Sequence, residues 1–224
     1  MSPNELSELM AALDDHHRVS MATFRDDFSA MLGGRERKVT QSGRRRFLAL
    51  AGGVVIAGTV VPLPRLARIA AAEDDNAVTV AVSAAALEYA AVEVYSAAAG
   101  SGKLTPAVRE AAAAFGAHHL EHGNAFAAIA KKTRNDIGAS KDVLDAAVKQ
   151  LAIATKEADV VAIALGIENA AVSVYVNALG SVTDLSVIGS MASILPIESA
   201  HAVVLGRVLD LPSDDPRFLP TFEK

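Results

Sequence analysis

Leu87-Glu88-Tyr89-Ala90-Ala91-Val92-Glu93-Val94-Tyr95 and Ile167-Glu168-Asn169-Ala170-Ala171-Val172-Ser173-Val174-Tyr175 are one phrase written twice, 80 residues apart and identical at six of nine positions. A second pair recurs at an offset of 79: His119-Leu120-Glu121-His122 against Glu198-Ser199-Ala200-His201. Two separate segments sharing nearly one offset mark a duplicated helix hairpin. The duplication also sorts the polar residues. Glu88 corresponds to Glu168, His122 to His201 and His119 to Glu198. Glu93 and Glu121 correspond to Ser173 and Ala200, which assigns both to the surface or to a supporting position. Glu93 also lies about 140° round a helix from Glu88.

Around these segments the chain reads as helices. Hydrophobic residues make up 51% of the 224 and aromatic residues only 4%, and Ala dominates the apolar set. Ala is the strongest helix former and allows close helix approach, so an all-α fold is favoured over a sandwich or barrel. Ala77–Ala99 ends at Gly100-Ser101-Gly102, a natural stop. Thr105-Pro106 supplies an N-cap followed by Pro at the first helical position, opening a helix expected to reach about Arg134. Asn135–Ala139 reads as a loop, Ser140 caps a shorter helix to about Ala154, and a long helix covers about Lys156–Leu179. Thr183 or Asp184 opens the last helix, which runs to about Leu209. Four long helices with a longer second connection make a bundle with a crossover containing a short helix.

Residues three apart on a helix share a face. His119/His122 and Glu198/His201 can therefore each present two ligands inward, with Glu88 and Glu168 completing a set of six. Buried carboxylates are costly unless a cation neutralises them. One Glu on each of two helices and Glu-x-x-His on each of the other two is the pattern of the ferritin-like di-iron/di-manganese bundles. Over residues 77–209 the chain resembles that family, and among its members the bacterial ferritin-like proteins exported by the twin-arginine route. Glu88, His122, Glu168, Glu198 and His201 match the pattern; His119 stands where the family has Glu. That change leaves three carboxylates where four would balance two divalent ions. A bridging hydroxide, Glu121 reaching inward, or a single metal would each restore the balance. Imidazole suits Fe, Zn, Cu or Ni.

The front third has a different character. Arg44-Arg45-Arg46-Phe47-Leu48 precedes an uncharged apolar run to Val61, broken by Pro62 and Pro64 and followed by Ala70-Ala71-Ala72. A basic region, a short apolar region and a small-residue cleavage site make a signal segment. It resembles the twin-arginine type, with Gly43 in place of the usual Ser or Thr. The implied partner is the twin-arginine translocase, and the implied location is the periplasm or cell envelope. Residues 47–63 could instead hold the chain at the membrane, although Phe47–Val61 is shorter than the ~20 residues of a spanning helix. The resulting division is a leader over 1–43, a signal or anchor over 44–72, the bundle over 73–210 and a Pro-containing tail over 211–224.

Within the leader, Leu6, Met10, Leu13, Val19, Met21, Phe24, Phe28 and Leu32 suggest short amphipathic helices. His16 and His17 point about 100° apart on a helix and read as solvated. His118, opposite Ile197 in the repeat, reads as a wall or rim residue. Tyr95 and Tyr175 read as core packing. No Cys is present, which excludes disulfides, thiolate metal sites and cysteine nucleophiles. Residues 73–224 carry eleven Lys/Arg and nineteen Asp/Glu, and this acidic balance argues against a nucleic-acid partner. The function expected is that of an exported metal-binding protein with a di-metal Fe or Mn site and a redox or metal-handling role. The alternative is a non-catalytic envelope protein with a degenerate or single-metal site, for example Zn.

Overall fold

Each helix of the bundle begins where the local chemistry permits it. The computed structural model describes residues 1–32, 54–56, 59–61, 76–180, 182–213 and 215. Helix α1 is Pro3–Leu32, α2 Asn76–Gly100, α3 Pro106–Ile129, α4 Arg134–Ile137, α5 Lys141–Ile153, α6 Glu157–Leu179 and α7 Leu185–Val208. Pro106 sits at the first position of α3, where a missing N–H costs nothing. Asp159 accepts hydrogen bonds from the backbone N–H groups of Thr155 and Lys156 at the start of α6. Of the two candidate caps for α7, the structure uses Asp184, whose Oδ1 accepts from Ser186 N at 2.9 Å and Val187 N at 3.1 Å.

Helix α3 stops earlier than its sequence suggests. Lys131 has φ of 54°, in the left-handed region, and ends the run. A capping box between Thr133 and Asp136 then starts α4, one turn lying where a loop was expected. Gly138, with φ of 71°, turns the chain toward α5.

Helices α2 and α3 form one hairpin and α6 and α7 the other, and α2 packs on α6 while α3 packs on α7. This is the four-helix arrangement the duplication implies, with α4 and α5 in the crossover. Ser140 N–H binds the Ala86 carbonyl at 2.7 Å, fastening the crossover to α2. The core runs the length of the bundle, with Leu87, Ile167, Phe115, Phe126, Met191, Ile194 and Ile197 all at or below 2% exposure. Burying side chains of this size contributes roughly 1.5–3 kcal/mol each. Helices α2, α6 and α7 are long and apolar enough to cross a membrane by length and composition, yet 56%, 72% and 50% of their most apolar windows are buried within the bundle.

Two features lie outside the bundle. Residues 3–32 of the leader form one long helix rather than several short ones, and this α1 lies along α3 and α7. Val54–Ile56 (β1) and Thr59–Val61 (β2) pair antiparallel, Val54 opposite Val61, beside α6 and α5. This short hairpin was not anticipated from the apolar run. The Arg44–Arg46 motif, the Ala70–Ala72 site and the tail from Pro216 lie outside the described residues.

Candidate metal centre

The duplication delivers six side chains to the middle of the bundle. Glu88 comes from α2, His119 and His122 from α3, Glu168 from α6, and Glu198 and His201 from α7. None is more than 1% exposed. They form two overlapping quartets, Glu88/His119/His122/Glu198 and Glu168/Glu198/His201/His119, each with ligand atoms within 4.8 Å of one another. Exchanging each residue for its counterpart in the repeat converts one quartet into the other. His119 and Glu198, themselves counterparts, belong to both.

The tyrosine contacts follow the same symmetry, while His119, standing where its counterpart is Glu198, makes contacts of its own. His119 Nδ1 lies 2.6 Å from Glu88 Oε2, and its Nε2 lies 3.1 Å from Glu168 Oε1. His201 Nδ1 lies 3.2 Å from Glu168 Oε2. The hydroxyl of Tyr95 donates to Glu168 and that of Tyr175 donates to Glu88, each reaching across to the other hairpin. The two tyrosines are therefore more than core packing. They hold the orientation of Glu168 and Glu88, and their equivalence in both copies of the repeat was the signal for it.

Two members of the cluster are not satisfied by protein. His122 Nδ1 approaches Glu198 Oε1 to 2.7 Å but out of line for a hydrogen bond. Both nitrogens of His122 and both carboxylate oxygens of Glu198 consequently lack hydrogen-bond partners although fully buried. Buried polar groups held by their mutual charge but without in-line hydrogen bonds are costly in an apolar core, and their positions suit a bound cation. The donor set of three carboxylates and three imidazoles fits a divalent transition metal such as iron, manganese or zinc.

Without a metal, charge compensation is internal. Burial raises the pKa of Glu88, but His119 and His122 beside it bring it down to about 2. Burial likewise opposes ionisation of Glu168, which His119 and His201 hold well below the usual carboxylate range. Burial lowers the pKa of His122, and Glu198 and Glu88 more than reverse this, holding it at about 9. His119 is raised well above its ordinary value and His201 is raised, in each case against burial and by the neighbouring carboxylates. Tyr95 and Tyr175 are pushed well up by burial and by the adjacent carboxylates, so both remain hydrogen-bond donors.

Two histidines assigned to lesser roles also enter this region. His118 is buried, and its Nδ1 lies 3.0 Å from His201 Nε2. Its Nε2 lies 3.1 Å from Asp14 Oδ1 on α1. His17, expected to be solvated, is 3% exposed and stacks on His118 with ring centroids 3.8 Å apart. Helix α1 carries His17 inward because the same face carries the buried Leu6 and Leu13. Burial and the nearby imidazoles lower the pKa of His17 to about 4 and of His118 to about 2, leaving both neutral. No pattern within the main domain could reveal this, since the contact depends on where α1 docks. His16, by contrast, is exposed.

The acidic residues set aside by the repeat lie outside the cluster. Glu93 is exposed and pairs with Arg134 at 2.6 Å. Glu121 is also exposed, so it does not supply the fourth carboxylate. Gly123, next to His122, permits the closest packing near the site. A Cβ there would lie 2.5 Å from the Tyr89 ring and 3.2 Å from Glu88 Cβ.

Comparison with protein families matches residues 76–211 to the ferritin-like domain. The chain belongs to the ferritin-like family. The match spans the four helices that carry the six residues and leaves α1 and the β-hairpin outside it. Comparison with curated proteins and with solved structures gave no match.

Proposed function

We propose that this ferritin-like protein holds two metal ions, iron or manganese, in the paired quartets, and serves a redox or metal-handling role outside the cytoplasmic membrane. The observation that carries the reading is the pair of repeat-related quartets, in which His122 of one and the shared Glu198 have no in-line hydrogen-bond partner. Iron or manganese held there would supply one-electron redox chemistry toward a small oxidant. Glu88 would serve one quartet and Glu168 the other, oriented by Tyr175 and Tyr95. His122 and His201 would each serve one quartet, and His119 and Glu198 both. The surrounding core, with Phe115 against His201 at a ring separation of 4.1 Å, excludes bulk water.

The site outside the membrane is supported by the Arg44–Arg46, Phe47–Leu48 and Ala70–Ala72 pattern and implies the twin-arginine translocase as partner. That route carries folded proteins, so a metal loaded inside would travel with the chain.

His119 favours a second reading. With two carboxylates and two imidazoles, each quartet is a complete four-ligand set, the closed coordination of a structural zinc. A single zinc would make the protein a non-catalytic envelope component. Metal content decides between the two. The full chain, purified from iron- and manganese-replete cells, is expected to carry two iron or manganese ions and to consume oxygen with Fe(II). Below ~0.2 ions per chain, with no change on Glu198→Ala plus His201→Ala, the metal centre is ruled out. One tightly held zinc without turnover establishes the second reading.

A further inference from the structure

The face of the bundle between α3 and α7 is the side on which the metal centre comes nearest to a helix from outside the family domain. There, His118 stands against His201, and α1 meets it from outside the bundle, with Asp14 at its Nε2 and the His17 ring stacked on its face. His17 also lies against His122, with centroids 5.1 Å apart. Its Nε2 is buried with no hydrogen-bond partner, an arrangement that is not the resting place of a surface imidazole. Leu6 and Leu13 anchor the helix at 4% and 6% exposure, and Ser20 Oγ donates to the Ser193 carbonyl of α7 at 2.8 Å. That carbonyl lies one turn before Glu198, in the stretch where Pro196 interrupts the helix ladder.

We infer that α1 is a removable cover over the metal centre: docked, it closes the α3/α7 face above His118, His122 and His201, and undocked, it opens that face to metal ions. The inference rests on the reading of the six-residue cluster as a metal site. The contacts suit a reversible cover. Of residues 3–22 of α1, Leu6, Leu13 and His17 are buried and Met10, Ser20 and Met21 half-buried, while the rest are exposed, and an element that meets its neighbours along so narrow a face opens locally. The position of α1 in the chain adds a consequence. It lies upstream of Arg44–Arg46 and Ala70–Ala72, so cleavage of a signal segment there would separate cover from bundle. The exported domain would then be the open form and the full chain the closed one.

The test uses metal-free full-length chain and Co(II), followed by visible absorption. Leu6→Glu with Leu13→Glu should undock α1 and accelerate Co(II) uptake at least about tenfold, with the final number of ions unchanged. Ser20→Cys with Ser193→Cys, joined by a bis-maleimide linker with an internal disulfide, should slow uptake below wild type until the linker is cut with a reductant; the chain has no other Cys. Equal rates before and after cutting the linker would overturn the inference, including where the leucine variant fails to fold. Acylation of His118, read by mass spectrometry, provides a measurement that does not depend on metal. His118 should be protected in wild type and reactive in the undocked variant. If no form binds Co(II), the metal reading falls while the cover still stands or falls on His118: equal reactivity in both forms removes it.

Discussion

Tyr95 and Tyr175 show how single residues hold this site together. Each donates from a buried hydroxyl to a buried carboxylate of the opposite hairpin. A hydrogen bond to a charged group contributes about 1.5–3 kcal/mol, and its loss leaves the carboxylate less satisfied. Tyr95→Phe and Tyr175→Phe are each expected to lower stability by about that amount, measured by denaturant midpoint on the metal-free protein. The two effects should be similar because the repeat makes the positions equivalent. Protonation gives a second expectation at this scale. His122 rises from 6.5 unfolded to about 9 folded. The stability it contributes is fully present below pH 6.5 and is lost as pH rises through 9. Glu88 is depressed to about 2, so its contribution is present above pH 4.5 and is lost as pH falls through 2. Thermal melts of metal-free protein should therefore weaken from pH 7 to 9. Metal must displace the histidine protons, so its affinity should rise over the same interval, with proton release measurable by calorimetry in buffers of different ionisation enthalpy.

Among the elements, α3 carries the tightest constraint. It presents His119 and His122 inward and then must pass the Tyr89 ring at Gly123. Ala is ordinarily better than Gly in a helix by about 1 kcal/mol. Here the added methyl meets a fully buried ring and Glu88 Cβ, and overpacking of this kind costs about 1–3 kcal/mol. Gly123→Ala is expected to destabilise the protein despite its helix propensity, and to reduce metal stoichiometry by displacing Glu88. Both are checked by a melt and a metal assay on the same preparation. The early end of α3 follows from equally local chemistry. The sequence pattern continues helical to Arg134, but Lys131 adopts the left-handed region and the Thr133/Asp136 box restarts the chain in a new direction. Helical periodicity alone does not register that competition between continuing a helix and capping a new one.

For the whole molecule, the site is a junction. Each quartet takes residues from both hairpins, so a metal bound there would tie the halves of the duplication together. Ligand that binds only the folded state at 100 times its Kd adds about 2.7 kcal/mol. In a chain of this size each kcal/mol moves the Tm by about 2–4 °C. Stripping the metal with a chelator is expected to lower the Tm by about 5–10 °C, and the metal-free chain should still melt cooperatively because the carboxylates remain paired with protonated histidines.

The all-α fold, the order of the four helices and the meeting of Glu88, His119, His122, Glu168, Glu198 and His201 were legible from the sequence. The reason is physical: a duplicated hairpin repeats its inward positions at a constant offset, and residues three apart on a helix share a face. The docking of α1 was not legible, since Leu6 and Leu13 declare an apolar face but not the surface it meets. His17, His118 and the two tyrosine hydroxyls acquired their partners only through packing across elements far apart in the chain. The repeated phrase determined which side chains converge, and tertiary structure decided which of them the protein itself satisfies, leaving His122 and Glu198 unsatisfied because no protein donor or acceptor reaches them in line.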